Sequence, residues 1–544
     1  MALPVGLQVA GRRLPKPSPM KKIPALPALA LAVACALLAP RLHAAAAPRP
    51  NLIIINIDDL GYGEIGPFGG RIATPALDRM AAEGRKLTSH YAAPVCSPSR
   101  AALLTGSYAK RALPIPHVLF PASAVGLHPA ERTIAEILRD AGYATAMIGK
   151  WHLGDQPEFL PTAQGFETYF GLPYSNDMGP RADGVKTDRV LAGATPAPEA
   201  AAANANAKAK AGAKKKAVAN NNSAASAPNA VAPAPNTATN TAPPAPVATG
   251  QTGDSQPPLP LLEGDSVIAR VRHAEQIDLQ RRYTERAVDF VRAPRDRPFF
   301  LYLAPNAVHF PRYPRDEFLG KSGHGLLGDW IQEIDWTVGQ LLGALREAHL
   351  AANTLVLFTS DNGGPVNQGA INTPLRGSKG TTWEGGVRVP LLAWWPGKIP
   401  AGTSTDAMSA MMDVLPTFAK LAGTTAPTDR KIDGVDLWPI LVGNPATAPR
   451  DEFFFYRGLA LEAVRSGPWK LHLASGELYH LGRDLAEARN LAAENPAEVQ
   501  RLRARAETMR DDLGLDGIGP GCRPLGRAAN PRPLIPADAA VPTK

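Results

Sequence analysis

Short apolar segments alternate with amphipathic segments along most of this chain, and this alternation limits the folds that the chain can adopt. The run Asn51–Ile57 is apolar and mostly β-branched, which is typical of a strand buried on both faces of a sheet. Three further strands are predicted at Tyr143–Ile148, Phe299–Leu303 and Thr354–Phe358, each after a helix-like segment. The pattern predicts an α/β fold in which helices cover both faces of a large, mainly parallel (mixed) sheet. The predicted helices are Thr133–Ala141, Gln276–Arg292 and Gly328–Leu350.

The pattern changes beyond Gly443. The chain has 544 residues, of which 45% are hydrophobic, so we expect a second, smaller domain beside the large one. Residues 443–544 are expected to form an α+β domain on an antiparallel sheet, with a helix at Pro496–Leu513 and an irregular or frayed tail from Gly517. The larger domain would then span residues 45–442. The short strands predicted in the smaller domain are Asp451–Arg457, Ala460–Arg465 and Lys470–Leu473.

The first 44 residues have the parts of a secretory signal peptide. Two lysines precede the apolar run Ile23–Ala39, and Leu42-His43-Ala44 supplies a small-residue cleavage sequence. Prolines interrupt the run, which is short for a membrane-spanning helix, so we expect export to the periplasm or the medium without stable membrane insertion. Met20 is an alternative start, and a lipoprotein site at Cys35 is left open.

Residues 192–256 consist largely of Ala, Asn, Pro, Thr and Lys, with few large apolar side chains to offset the entropy of ordering. We interpret this segment as a disordered insertion in the larger domain. Several of the lysines behind the formal net charge of +9 lie in it or in the signal peptide. The rest of the chain is only mildly basic and has no dense Arg/Lys stripe, so we expect no nucleic-acid partner.

Polar residues follow all four predicted strands of the large sheet. In such sheets ligands bind beyond the carboxyl ends of the strands, so these side chains are expected to gather at one edge. Three carboxylates and an amide suit a hard divalent cation such as Ca²⁺ or Mg²⁺. Taken alone, the pair Asp58-Asp59 has a turn or helix entry as its alternative interpretation, and the pair Asp361-Asn362 has an ordinary turn. The residues concerned are Asp58 and Asp59, Lys150 and His152, His309, and Asp361 and Asn362.

Cys96 lies where a helix is predicted to begin. Ser97 is a candidate N-cap and Pro98 suits the first turn. Free backbone N–H groups at a helix N-terminus favour an anion, and Arg100 adds a cation one turn further on. The alternative is a buried free cysteine, since Cys522 is the only other cysteine outside the signal peptide.

The segment from Cys96 to Gly106 resembles the signature of the sulfatases, a family of the alkaline phosphatase superfamily in which this cysteine is oxidised to formylglycine. Three more segments resemble sulfatase segments in the family's order. The chain is most similar to the branch of arylsulfatase A and N-acetylgalactosamine-6-sulfatase. It departs from the family at Phe310, where a small residue or Thr is more usual. The three segments are Gly149–Gly154, Ser360–Gly363 and Gly377–Gly386.

The resemblance implies a calcium site and a nucleophile. Asp58, Asp59, Asp361 and Asn362 would bind Ca²⁺ together with an oxygen of modified Cys96. One hydroxyl of the hydrated aldehyde would attack sulfur, and the second would allow sulfate to be expelled without attack by water.

The resemblance also assigns the remaining catalytic roles. Arg100, Lys150 and Lys379 would neutralise charge on the sulfuryl oxygens. His309, with Lys379, would protonate the leaving alcohol, and His152 would accept the proton of the second hydroxyl.

The expected substrate is an aryl sulfate or a sulfated carbohydrate, and the expected maturation partner is the formylglycine-generating enzyme. Two alternatives remain open from sequence. One is a phosphate or phosphonate monoester hydrolase of the same superfamily, and the other is a non-catalytic protein that binds sulfated glycans with Cys96 unmodified.

Overall fold

The computed structural model describes Lys16 and residues 49–189, 249–444 and 450–538. The predicted signal peptide lies outside these residues apart from Lys16, as does the predicted insertion apart from residues 249–256. From Arg49 onward the described residues form one compact unit. Among them, none of the helices combines the length and the apolar character that crossing a bilayer requires.

The described strands form three sheets, of eleven, four and two strands. In chain order they are β1 (Asn51–Ile57), β2 (Arg85–Tyr91), β3 (Val125–Gly126), β4 (Ala144–Gly149), β5 (Thr168–Gly171), β6 (Leu259–Glu263), β7 (Ser266–Val271), β8 (Phe299–Ala304), β9 (Thr354–Ser360), β10 (Arg388–Trp394), β11 (Thr403–Thr405), β12 (Ser409–Ala410), β13 (Glu452–Arg457), β14 (Ala460–Ser466), β15 (Trp469–His472), β16 (Leu478–His480) and β17 (Gly526–Arg527).

The described α-helices lie between these strands, as the alternating pattern predicts. In chain order they are α1 (Pro75–Glu83), α2 (Cys96–Thr105), α3 (Ala109–Ala112), α4 (Ile134–Asp140), α5 (His273–Gln276), α6 (Leu279–Arg292), α7 (Gly325–Glu347), α8 (Glu384–Val387), α9 (Val414–Leu421), α10 (Trp438–Leu441) and α11 (Pro496–Glu507).

The large sheet has the strand order β11-β2-β10-β9-β1-β8-β4-β5-β6-β7, with β12 also paired to β2. The four strands predicted from sequence, β1, β4, β8 and β9, are adjacent and parallel at its centre. β10 is antiparallel to both of its neighbours, β2 and β9, and β6 is antiparallel to β5 and β7. The predicted mixed, mainly parallel sheet is therefore confirmed.

Both faces of β1 are buried, which explains its continuous apolar sequence. Ile53 and Ile55 belong to one core cluster, together with Tyr283 of α6 and Ile331 of α7. Leu52 and Ile54 belong to a second cluster on the opposite face, which includes residues of α2 and α9. Helices thus cover the sheet on both sides and fix the position of its carboxyl edge, the edge at which β1, β4, β8 and β9 end.

Three predicted helices differ from the observed ones. The helix predicted at Gly328–Leu350 is α7, which spans Gly325–Glu347. Of the segment predicted as a helix at Gln276–Arg292, residues Leu279–Arg292 form α6, and Gln276 is the last residue of the preceding helix α5. The helix predicted to Leu513 ends at Glu507, and turns follow it. α4 begins where predicted because Thr133 and Glu136 form a reciprocal capping box.

The C-terminal part contains the predicted antiparallel sheet, in the order β13-β14-β15-β16. Leu502 of α11 packs in the same cluster as Val464 and Leu471 of this sheet. The tail from Gly517, which we expected to be irregular or frayed, is attached to the body: β17 pairs with β3, and Ile535 is 1% exposed. The described end of the predicted insertion also contacts the body, since Phe120 N donates to Thr249 O.

Ile55 tests the dependence of the fold on the doubly buried strand. It is fully buried and lies opposite Leu303 and Phe358. Because truncation leaves a cavity between packed layers, Ile55→Ala is expected to lower the free energy of unfolding by about 2–5 kcal/mol. Val366, which is 51% exposed, supplies the control. Val366→Ala should change the free energy of unfolding by less than about 0.5 kcal/mol. Equal effects in a denaturant titration would contradict the assignment of β1 to the core.

Candidate active site

The carboxyl edge of the large sheet brings together the side chains that sequence predicted. Asp58 and Asp59 directly follow β1, and Asp361 directly follows β9. Lys150 follows β4, and His309 lies in the loop after β8. The parallel strands end side by side, so residues far apart in sequence lie within contact of one another.

Three carboxylates and three cations form a buried network at this edge. Lys150 Nζ lies 2.6 Å from Asp58 Oδ2, and both side chains are fully buried. Lys379 Nζ lies 2.6 Å from Asp59 Oδ1 and 2.8 Å from its Oδ2. The third pair joins Arg100 to Asp361, whose Oδ2 accepts from Nε at 3.0 Å and from the terminal nitrogen Nη2 at 2.8 Å.

Two of these carboxylates, Asp58 and Asp361, have opposite pKa shifts. Burial favours the neutral acid, but Lys150, followed by His309 and Arg100, holds the pKa of Asp58 far below its usual value. Burial and the neighbouring charge of Asp58 raise the pKa of Asp361 to about 7, in spite of Arg100. The crowded negative charge therefore favours a further cation at this position.

Two oxygens of the cluster are buried without a hydrogen-bond partner among the described residues. They are Asp58 Oδ1 and Asn362 Oδ1. Asn362 uses its amide nitrogen instead, donating to Asp59 Oδ1 at 2.8 Å. Ligand atoms of Asp58, Cys96 and Asp361 lie within 4.8 Å of one another. Unpaired buried oxygens next to crowded carboxylates are the donor set that a hard cation such as Ca²⁺ requires.

Helix α2 begins at Cys96, as predicted, but its first turn is built differently. Val95, in an extended conformation, is the N-cap residue, and its carbonyl accepts from Ser99 N. The prediction of Ser97 as N-cap is wrong, because its Oγ accepts from Leu119 N at 3.2 Å and so anchors the following loop. Ser99 Oγ instead joins the turn to Ala93, accepting from its N–H and donating to its carbonyl.

The Cys96 thiol is not a thiolate at neutral pH. The residue is 2% exposed, and burial raises the pKa of its thiol to about 12 although Lys150 and Lys379 oppose this. Desolvation therefore disfavours a thiolate at this helix N-terminus. A neutral, buried thiol is a weak nucleophile.

The two predicted histidines have distinct environments. His152 is buried, and its Nε2 lies 2.9 Å from Leu119 O, so Nε2 carries the proton and Nδ1 is left as an acceptor. Burial, followed by Lys150 and Arg100, holds the pKa of His152 well below its usual value. Nδ1 has no hydrogen-bond partner among the described residues. His152 is therefore a neutral imidazole with a free lone pair.

His309 is only partly buried. Its Nδ1 lies 2.5 Å from the carbonyl oxygen of Phe310, and its Nε2 lies 3.7 Å from Asp59 Oδ2. Burial and the charge of Lys379 lower the pKa of His309. The residue at which the sequence departs from the sulfatase pattern thus orients the imidazole through its backbone carbonyl.

Ser175 belongs to the site although the sequence did not reveal it. It is 1% exposed, and its Oγ accepts from Lys150 Nζ at 3.2 Å and lies 3.3 Å from His309 Nδ1. Ser175 thereby connects the loop after β4 with the loop after β8. It follows β5, a four-residue strand that we did not predict, and this position after a strand was the signal available in the sequence.

Comparison with known proteins agrees with this geometry. Residues 50–424 match the sulfatase family, and residues 378–511 match the C-terminal domain of N-sulphoglucosamine sulphohydrolase. Mouse steryl-sulfatase is 39% identical over 78% of this chain and 71% of its own length. Human arylsulfatase A is 38% identical over 79% and 75%, and dog N-acetylgalactosamine-6-sulfatase is 35% identical over 83% and 78%.

Among solved structures, the PsFucS1 sulfatase from Pseudoalteromonas sp. is similar with a TM-score of 0.66 and 25% identity. The match covers 85% of this chain and 91% of that one. Both the family resemblance and the alkaline-phosphatase-like fold predicted from sequence are confirmed. The chain belongs to the sulfatase family and is a sulfuric ester hydrolase.

Proposed function

We propose that this sulfatase hydrolyses sulfate esters to an alcohol and inorganic sulfate through a formylglycine formed from Cys96, with one bound Ca²⁺. The observation that carries the proposal is the cluster of Asp58, Asp361 and Cys96 with the adjacent Asn362. Among the described residues, Asp58 Oδ1 and Asn362 Oδ1 lack hydrogen-bond partners, and the thiol is neutral. Conversion of this buried thiol would supply a better nucleophile, and a cation would satisfy the oxygens.

The anionic substrate supports a divalent cation at this site. Asp58, Asp59 and Asp361 are matched by Arg100, Lys150 and Lys379, so the described cluster has little net charge. Ca²⁺ held by the three carboxylates and by Asn362 Oδ1 would supply positive charge that attracts and polarises the sulfate group. A site with this surplus is complementary to an anionic ester and to the charge that grows during its cleavage.

The side chains divide the remaining work. A hydrated aldehyde at position 96 would supply a hydroxyl nucleophile and a route for sulfate release. Arg100, Lys150 and Lys379 would hold the sulfuryl oxygens, since all three are fixed by carboxylates before substrate binds. The free Nδ1 of neutral His152 would accept a proton. His309, once protonated at Nε2 beside Asp59, would donate one to the leaving alcohol, and Lys379 would offset the charge that develops there.

The alcohol is proposed only by class. The relatives' names include steryl, aryl and N-acetylgalactosamine-6-sulfate activities, which supports an aryl sulfate or a sulfated carbohydrate. The signal sequence supports export to the periplasm or the medium. Oxidation of Cys96 would require a formylglycine-generating enzyme as maturation partner.

Removal of Ca²⁺ should be visible in stability as well as in activity. Chelation should abolish turnover, and adding Ca²⁺ back at about 100 times its Kd should stabilise the native state by about 2.7 kcal/mol, seen as a higher Tm. Asp361→Asn should lose this shift. The control is Asp335→Asn, at a buried carboxylate that accepts hydrogen bonds from Ala76 N and Leu77 N. This variant should keep the rise in Tm on addition of Ca²⁺. Full activity after exhaustive chelation would remove Ca²⁺ from the mechanism.

Cys96→Ser separates attack on sulfur from release of sulfate. In a host that oxidises only cysteine, the serine hydroxyl can attack sulfur but cannot eliminate sulfate. With an aryl sulfate we expect at most about one equivalent of alcohol per enzyme, and a stable sulfuryl adduct at residue 96 by mass spectrometry. Cys522→Ser, at the half-buried cysteine of the C-terminal part, should turn over normally. Sustained turnover by Cys96→Ser without an aldehyde would overturn the formylglycine mechanism.

A further inference from the structure

The segment Gly377–Gly386, called here the Lys379 loop, is held from two sides. On the side of the large sheet, Lys379 N donates to Gly364 O at 3.2 Å, and Gly380 N donates to Pro94 O at 2.9 Å. Two of its glycines have positive φ angles, 96° at Gly377 and 80° at Gly380, and glycine loses more conformational freedom on ordering than any other residue. The loop therefore depends on contacts elsewhere to hold the Lys379 ammonium beside Asp59.

Those contacts come from the C-terminal sheet and the segment that follows it. Lys470 Nζ of β15 donates to Thr382 O at 2.7 Å and to Glu384 Oε1 at 2.8 Å. Trp383 packs against the ring of His472, with centroids 4.0 Å apart. Burial alone would raise the pKa of Glu384, but Lys470, Arg388 and Arg465 lower it to about 2, so Glu384 is ionised.

Glu487 is the centre of this arrangement. It is fully buried, and its carboxylate contacts Lys470 Nζ at 3.0 Å, His472 Nε2 at 2.9 Å and Glu384 N at 2.8 Å. Its own carbonyl accepts from Arg376 at 2.9 Å, just before the loop. Its φ of 50° is unusual for a residue with a side chain and persists only where the surroundings determine it.

We propose that Glu487 is a positioning residue for the reaction. Its carboxylate and carbonyl hold both ends of the Lys379 loop, at Glu384 and Arg376, and so fix the Lys379 ammonium against Asp59. This inference rests on the proposed function, in which Lys379 offsets the charge that develops as the alcohol leaves. The C-terminal sheet contributes to catalysis through this contact, although it supplies no group to the carboxyl edge.

The test compares two aryl sulfates, one with a good and one with a poor leaving group. A poor leaving group depends more on charge neutralisation, so displacement of Lys379 should lower kcat/KM more for that substrate. The ratio of the two kcat/KM values does not change with the fraction of folded or modified enzyme, so a merely structural loss leaves it constant. We expect Glu487→Gln to raise the ratio, good over poor, by about tenfold, since a misplacement of about 1 Å can cost about 10²-fold.

Further variants complete the design. Glu452→Gln breaks an ion pair between β13 of the small sheet and Arg505 of α11, and should leave the ratio unchanged. Lys379→Met should raise the ratio, and adding Glu487→Gln to Lys379→Met should raise it no further, because the two act through one group. If Glu487→Gln does not fold, His472→Phe removes the bond to Glu487, retains an aromatic ring beside Trp383, and should shift the ratio in the same direction.

The outcomes separate the inference from the function on which it rests. The role of Glu487 would be overturned, and the proposed function left intact, if Lys379→Met raises the ratio but folded Glu487→Gln does not. Where only His472→Phe folds, an unchanged ratio in that variant has the same meaning. The role of Glu487 would also be overturned if the ratio of the double variant rises by the product of the two single-variant increases. An unchanged ratio in Lys379→Met would refute the proposed role of Lys379 itself, and the inference with it.

Discussion

The structure depends on a buried network of ion pairs at the carboxyl edge of the large sheet. Three carboxylates, Asp58, Asp59 and Asp361, pair there with Lys150, Lys379 and Arg100, respectively. A buried ion is costly unless it is paired, so each of these side chains is held in place by its partner. The sheet makes the pairing possible because parallel strands bring residues from distant parts of the sequence to one edge. Among the described residues, Asp58 Oδ1 of this network and Oδ1 of the adjacent Asn362 are left without a hydrogen-bond partner.

Burial also explains the proposed chemistry of Cys96. Packing α2 against the sheet places the thiol beside the carboxylates, but it raises the pKa of the thiol to about 12. A cysteine in this environment would not serve as a thiolate nucleophile, and its neighbours are the residues that a calcium-dependent hydrolase of anionic esters would use. Conversion of the thiol into a hydrated aldehyde reconciles the location of the residue with the reaction that the family performs.

The sequence predicted those residues of the candidate site that follow strands with a continuous apolar sequence. Asp58 and Asp361 could be found because β1 and β9 are continuous apolar runs, whereas Ser175 was missed because β5 has four residues and weak periodicity. The cap at Ser97 was wrong because a loop packed against α2 takes that hydroxyl, and no local pattern encodes such a contact. Glu487 was not foreseen for the same reason: its partners come from β15 and from the Lys379 loop.

The chemical identity of residue 96 tests the central claim most directly. Protein purified from its natural source would be digested, and the peptide that contains residue 96 would be analysed by mass spectrometry before and after treatment with a carbonyl reagent. Our account predicts an aldehyde at this position, present in proportion to the sulfatase activity of the preparation. A free thiol at residue 96 in fully active protein would contradict it.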